Sequence, residues 1–315
     1  MKLAILGAGA VGQSVADLAG EYGHEVVAIS DSSGAAVDPD GIDVERTLER
    51  KAGGDPVGTD GVDDVFESDY DVLVEATPTT LGDAEPGFTH VERALEDDRH
   101  VVLANKGPVA ERYDELRALE ADSRGSVRFE ATVGGAIPVL STIEDATPQA
   151  VTAVRGVLNG TANFILTRMA AEGLDYEHVL AEAQDLGVAE ADPTFDVDGT
   201  DAALKFVILA NVLADGGFSL SDATVEGIQD IPGSALDLAA EDGRTIRLIG
   251  EATRESVRVS PRLVPENGAL AVTGTRNIVQ IETRHAGSLA SSGRGAGGPE
   301  TATAVLSDVG RLPEL

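Results

Sequence analysis

The sequence predicts an α/β protein: a doubly wound, mainly parallel sheet at the N-terminus, followed by a second domain of α+β type. Three observations predict it. Short apolar runs alternate with helical stretches through the first third of the chain. A glycine-rich turn, Gly7-Ala8-Gly9-Ala10-Val11-Gly12, stands directly between the first apolar run and the first helical stretch. Past Val133-Gly134-Gly135 the alternation stops, and grouped helices are followed by grouped β-rich segments.

Taken in order, Leu3–Leu6, Val26–Ile29, Val72–Glu75 and Val101–Ala104 read as short buried strands, each ending in turn-forming or polar residues. Helical patterns at Val11–Glu21, Val44–Lys51 and His90–Glu96 lie between them, and a longer one follows at Val109–Ala121. Ser126–Ala131 reads as a further strand. In the second part, strand-like Val151–Leu158 ends at Asn159-Gly160 and precedes helical segments at Thr161–Glu172, Asp175–Leu186 and Asp198–Ala214. Asp175 is the expected N-cap of the middle one. Thr245–Ala252, Val257–Val264 and Asn277–Thr283 form a mixed or antiparallel sheet, His285–Gly298 reads as a mobile loop, and Glu300–Val309 as a closing helix. The expected domains are 1–132 plus 299–315 for the first and 133–298 for the second.

Composition narrows the function. The chain has 315 residues, 42% of them hydrophobic, enough to bury cores in two domains. No apolar run approaches the roughly 18–20 residues of a membrane span, and the chain enters a strand directly after Met1-Lys2, so a cytoplasmic location is expected. Asp and Glu number 55 against 23 Lys and Arg, for a formal charge of −32. That field repels nucleic acid and anionic membranes, and dispersed acids read as a solvated surface. Lysine occurs only at Lys2, Lys51, Lys106 and Lys205, a composition like that of salt-adapted proteins. Each surviving lysine is thereby a candidate for a role that needs an ammonium group. Cysteine is absent, which removes thiolate chemistry of every kind. His24, His90, His100, His178 and His285 lack metal-binding spacing and read mostly as surface.

The glycine turn carries the first functional signal. In G-x-G-x-x-G after a strand, Gly7 permits the tight turn, Gly9 admits a pyrophosphate to the backbone, and Gly12 lets helix and strand pack. The free N–H groups of the helix start, at Ala8, Ala10 and Val11, face the phosphates. This is the fingerprint of a Rossmann domain binding a nicotinamide dinucleotide. Asp31, after the second strand, stands where an acid binds the ribose of NAD. Ser32, Ser33 and Lys51 could receive the extra phosphate of NADP and Asp31 could instead cap its turn, but NAD is slightly favoured.

The second signal is Gly187-Val-Ala-Glu190-Ala-Asp192-Pro193-Thr-Phe-Asp196-Val-Asp198-Gly199-Thr-Asp201-Ala-Ala-Leu-Lys205. A calcium loop fails there, because Thr194 and Lys205 occupy two ligand positions. Asp201 and Lys205 are four apart on a helix that is apolar nearly all round. An ordinary surface pair is the alternative, but a buried ammonium needs a carboxylate partner and becomes usable as a proton donor. Lys106, after the strand ending Ala104-Asn105, is expected on the nicotinamide side, opposite Lys205 across a cleft.

With these residues in place, the chain resembles the homoserine dehydrogenase family over nearly its whole length. The resemblance rests on Gly7–Gly12, Val102-Leu-Ala-Asn-Lys106, Glu130-Ala-Thr-Val-Gly-Gly-Ala-Ile-Pro138, Gly156-Val-Leu-Asn-Gly-Thr-Ala-Asn-Phe-Ile-Leu166, Gly187–Lys205 and Gly295-Ala-Gly before Thr301-Ala302. It implies reversible hydride transfer between NAD(P)H and L-aspartate 4-semialdehyde to give L-homoserine. Lys205 would be the acid/base group and Asp201 would lie near the substrate amine or a water. Glu190 and the Gly187 backbone would hold the substrate ammonium, with Asp196 and Thr161 completing the substrate set. Thr77, Lys106 and Gly297 would touch the cofactor. A monovalent cation, usually sodium, would sit on backbone oxygens of Glu130, Val133, Gly135 and Ile137, and the second domain would form a homodimer. With the chain ending at Leu315, no regulatory ACT or kinase domain is expected. Aspartate-semialdehyde dehydrogenase, which forms a thioester on cysteine, is excluded. Another small-substrate Rossmann oxidoreductase and a non-catalytic nicotinamide sensor remain as alternatives.

Overall fold

The computed structural model describes residues 1–314, so Leu315 at the end of the first expected domain lies outside the described residues. The chain divides into two compact units, Met1–Ala136 with Ala296–Leu315, and Ile137–Gly295. Its junctions fall at 136/137 and 295/296, against the expected 132/133 and 298/299. Among the described residues no helix is long and apolar enough to cross a membrane.

The first unit is built on six strands: β1 Lys2–Leu6, β2 Glu25–Asp31, β3 Gly34–Val37, β4 Val72–Glu75, β5 His100–Leu103 and β6 Val127–Arg128. Their order is β3-β2-β1-β4-β5-β6. All neighbours are parallel except β3, which turns back antiparallel on β2. The order reverses between β1 and β4, which opens a ligand crevice at the carboxyl ends of the strands. Gly7, Asp31, Glu75 and Asn105 all stand at those ends. Every residue of β4 and β5 is buried, as a sheet covered on both faces requires. The helix Gly298–Val309 returns the chain to this unit and packs on the helix Ala10–Leu18, with Val305, Leu306 and Val309 joining Leu3, Ile5 and Val74 in one core.

The second unit carries the strands β7 Val151–Val157, β8 Ala223–Val225, β9 Arg244–Ala252, β10 Val257–Pro265, β11 Arg276–Thr283 and β12 Gly287–Arg294, in the order β12-β11-β7-β9-β10-β8. All pairs are antiparallel except β8 with β10. The helix Thr200–Ala214 lies against β9 and β10 with Asp201–Asn211 buried throughout. Asp175 caps the helix Tyr176–Asp185 by accepting from His178 N at 3.0 Å.

Four local expectations are corrected. Ser126–Ala131 is not one strand: β6 stops at Arg128, and Glu130–Thr132 form a 3₁₀ turn. The cause is tertiary, since buried Asp308 accepts the Glu130 N–H at 2.7 Å and Thr132 Oγ1 donates to Phe129 O. That anchorage keeps the segment through Ala136 in the first unit. Val109–Ala121 is two helices, Gly107–Glu111 and Tyr113–Asp122, broken at Arg112. Arg112 instead pairs with Glu115 and Glu85 and lies 3.4 Å over the Phe88 ring. His285–Gly298 is largely the edge strand β12, paired with β11 along its length. Its Gly and Ser residues give no periodic signal, and the pairing rests on backbone bonds alone. Finally, the histidines are not mostly surface: only His178 and His285 are exposed, and His100 is fully buried between Ser126 N and Pro313 O.

Candidate active site

The lysine-carboxylate pair is a buried cluster. The helix Thr200–Ala214 starts at Gly199, which holds φ +90. One turn in, Lys205 Nζ donates to Asp201 Oδ2 at 2.6 Å, and their side chains are 9% and 12% exposed. A second N–H of Lys205 goes to Leu158 O, also at 2.6 Å, so the ammonium is tied to the end of β7. Asn159 joins the neighbouring groups. Its Nδ2 donates to Asp201 Oδ2 at 2.9 Å and Asp196 Oδ1 at 2.6 Å, while its Oδ1 accepts Ala162 N as the cap of the helix Gly160–Glu172. Burial raises the Asp196 carboxyl above its usual value and the Asp201 charge adds to this, against the pull of Asn159 and Lys205. Asn159 was not among the expected site residues. Its signal was the Asn-Gly step between strand and helix, which marks a cap but says nothing of carboxylates.

In the first unit the glycine turn has the geometry of a phosphate cradle. Gly7 has φ +101, and a Cβ there would lie 2.5 Å from Ala76 O. A Cβ on Gly12 would overlap Gly7 O. Gly9 differs: a Cβ there meets no protein atom within 4 Å, so its small size serves nothing inside the chain. Gly9 is the N-cap of the helix Ala10–Leu18, and no side chain caps it. Ala10 and Val11 are its first residues and Ala8 precedes it, so the amide donors of that first turn have no partner within the helix.

Asp31, at the end of β2, is spoken for. Its Oδ1 accepts Ser33 N at 2.7 Å and Gly34 N at 3.1 Å, and its Oδ2 pairs with Lys51 at 2.5 Å. Burial opposes its charge, but Lys51 and the two backbone N–H groups win and hold the carboxyl below its usual value. The structure shows the capping reading of Asp31, with the Lys51 ammonium beside the same carboxylate. Thr77 follows β4, Lys106 caps the start of Gly107–Glu111, and Gly297 caps Gly298–Val309.

Comparison with known proteins decides the family. The Homoserine dehydrogenase family model matches residues 138–309, and the Glutamate/Leucine/Phenylalanine/Valine dehydrogenase model matches residues 1–75. A homoserine dehydrogenase of Methanocaldococcus jannaschii is 42% identical over 98% of this chain and 97% of its own length. The chain belongs to the homoserine dehydrogenase family. An NAD(+)-dependent homoserine dehydrogenase of Pseudomonas canavaninivorans is 35% identical, over 98% of this chain and 95% of the relative. A hyperthermophilic archaeal homoserine dehydrogenase solved in complex with NADPH is 27% identical, with a TM-score of 0.85 over 98% of this chain and 96% of that one.

Among the residues that the homoserine dehydrogenase resemblance singles out, Lys205, Asp201 and Asp196 meet around Asn159. Gly187 (φ +68) and exposed Glu190 lie on the loop after the helix Tyr176–Asp185, which Thr161 Oγ1 ties down through Val188 O at 3.1 Å. Gln184 Nε2 donates to Glu190 O at 3.1 Å. Glu130, Val133 and Gly135 lie in the turn after β6, and Ile137 is the first residue of the second unit.

Proposed function

We propose that this homoserine dehydrogenase family member interconverts L-homoserine and L-aspartate 4-semialdehyde with NAD(P), using Lys205 as acid and base. The observation that carries the reading is the buried Lys205 ammonium held at 2.6 Å by both Asp201 and the Leu158 carbonyl. An ammonium has three N–H bonds, and those two anchors leave one for a substrate oxygen. In the reducing direction Lys205 Nζ gives its proton to the aldehyde oxygen as the carbonyl becomes an alcohol. In the oxidising direction neutral Lys205 takes the hydroxyl proton, and Asp201 stabilises the charge that returns to it. Asp196, Thr161, Glu190 and the Gly187 backbone bind and orient the amino acid.

The nucleotide belongs on Gly7–Gly12, with Asp31, Thr77, Lys106 and Gly297, and the open face of Gly9 is the fit such a group needs. When bound, the nicotinamide supplies or accepts the hydride. The reading includes a monovalent cation on the main-chain oxygens of Glu130, Val133, Gly135 and Ile137. It further includes a homodimer through the second unit's sheet, a cytoplasmic setting of high salt, and a place in threonine, methionine and isoleucine biosynthesis. Lys205→Ala tests the core of it. We expect kcat to fall by about a hundredfold or more while NAD(P)H still binds. Unchanged turnover in that variant rules the mechanism out.

A further inference from the structure

Glu75 ends β4 at 0% exposure, and no step above uses it. A buried carboxylate accepts hydrogen bonds and needs donors around it. Here they come from three segments of the first unit. Thr77 gives its backbone N–H at 3.0 Å and its hydroxyl to Oε1, Asn105 Nδ2 reaches the same oxygen at 3.3 Å, and His90 Nδ1 meets Oε2 at 2.7 Å. Counting protons sets the direction of each bond. The carboxylate donates none, so the Thr77 hydroxyl gives its only proton to Glu75. The same side of Asn105 Nδ2 also reaches Thr77 Oγ1 at 3.2 Å as a shared donor, and Asn105 Oδ1 accepts Gly107 N at 3.0 Å, which orients the amide. What Thr77 still offers is an acceptor lone pair. Its backbone borders the glycine turn, since a Cβ on Gly7 would lie 2.8 Å from Thr77 N.

We propose that Glu75 is a positioning residue for the nicotinamide cofactor: it makes the Thr77 hydroxyl an obligate acceptor, which receives a cofactor N–H or O–H donor. That donor is a ribose hydroxyl or the carboxamide amino group. The same carboxylate joins the turns after β4 and β5, which the Lys106 N–H to Thr79 Oγ1 bond at 3.3 Å links a second time. The proposal rests on the nicotinamide reading above.

The chain has no tryptophan, so the fluorescence of NADH or NADPH reports binding without turnover. We expect Glu75→Leu and Thr77→Val to raise the NAD(P)H Kd and KM about tenfold, the loss of one hydrogen bond to a ligand, with the homoserine KM within twofold. Glu75→Gln keeps the Oε1 acceptor and loses far less. Thr77→Val carries the test alone if Glu75→Leu does not fold. The 3-acetylpyridine analogue of NAD, which lacks the amino donor, separates the two sources. Thr77→Val weakens NAD alone if the carboxamide is the donor, and both dinucleotides if the ribose is. Wild type that fails to bind NAD(P)H overturns the functional reading itself. Wild type that binds while Thr77→Val, or folded Glu75→Leu, binds equally well, or variants that raise both KM values together, overturn the positioning role alone.

Discussion

At the scale of single residues, Asp31 shows how one side chain serves two readings. Its carboxylate caps the turn at Ser33 and Gly34 and pairs with Lys51, which together favour its charged form. An acid there favours a ribose hydroxyl and repels a phosphate, while Lys51, one-third exposed, is a donor for that phosphate. Asp31→Ser removes the repulsion and releases the ammonium. We therefore expect the ratio of kcat/KM for NADP to that for NAD to rise about tenfold, read from paired assays in one buffer. A ratio that does not move takes Asp31 out of cofactor choice. Asn159 is the opposite case: read only as the end of a strand, it was silent on the two carboxylates it touches, because those contacts cross from residue 159 to residues 196 and 201.

At the scale of elements, the helix Thr200–Ala214 is positioned by shape. Gly250 in β9 faces it, and a Cβ there would run into the Phe206 ring. Ile249, the next residue along, faces the other side of the sheet and packs with Val157, Val264 and Ile278. Glycine in a strand interior is normally unfavourable, so its presence marks close approach of the helix to the sheet. Gly250→Ala should lower stability by about 1–3 kcal/mol through overpacking, measured by urea unfolding. Phe206→Leu added to it should recover part of the loss. If the double variant is as unstable as the sum of the singles, the two positions are not in contact. Element boundaries were least legible where a distant group intervenes, as where Asp308 captures Glu130 and ends β6 early.

At the scale of the molecule, a charge of −32 spread over both units opposes compaction in dilute buffer. Screening falls to about 3 Å at 1 M salt, so repulsion between surface carboxylates should largely vanish there. Thermal unfolding followed by circular dichroism is expected to shift upward by about 10 °C or more from 0.1 M to 2 M sodium chloride. A Tm independent of salt excludes surface repulsion as a determinant of this fold's stability. Lysine scarcity belongs to the same surface. Of the lysines, Lys2 pairs with Asp69, Lys51 with Asp31 and Lys205 with Asp201.

The sequence by itself determined the α/β class, the glycine cradle, the family and the helix that carries Asp201 and Lys205. Each of these depends on local periodicity or on residues close together in the chain, which act through backbone geometry and helical spacing. Tertiary structure decided which polar groups share a proton or a charge. Asn159 beside two acids, Lys205 on the Leu158 carbonyl, and Glu75 between His90 and Asn105 are contacts between separate segments. A buried polar group takes whatever partner the folded chain brings to it, and only the packing of strands and helices says which one arrives.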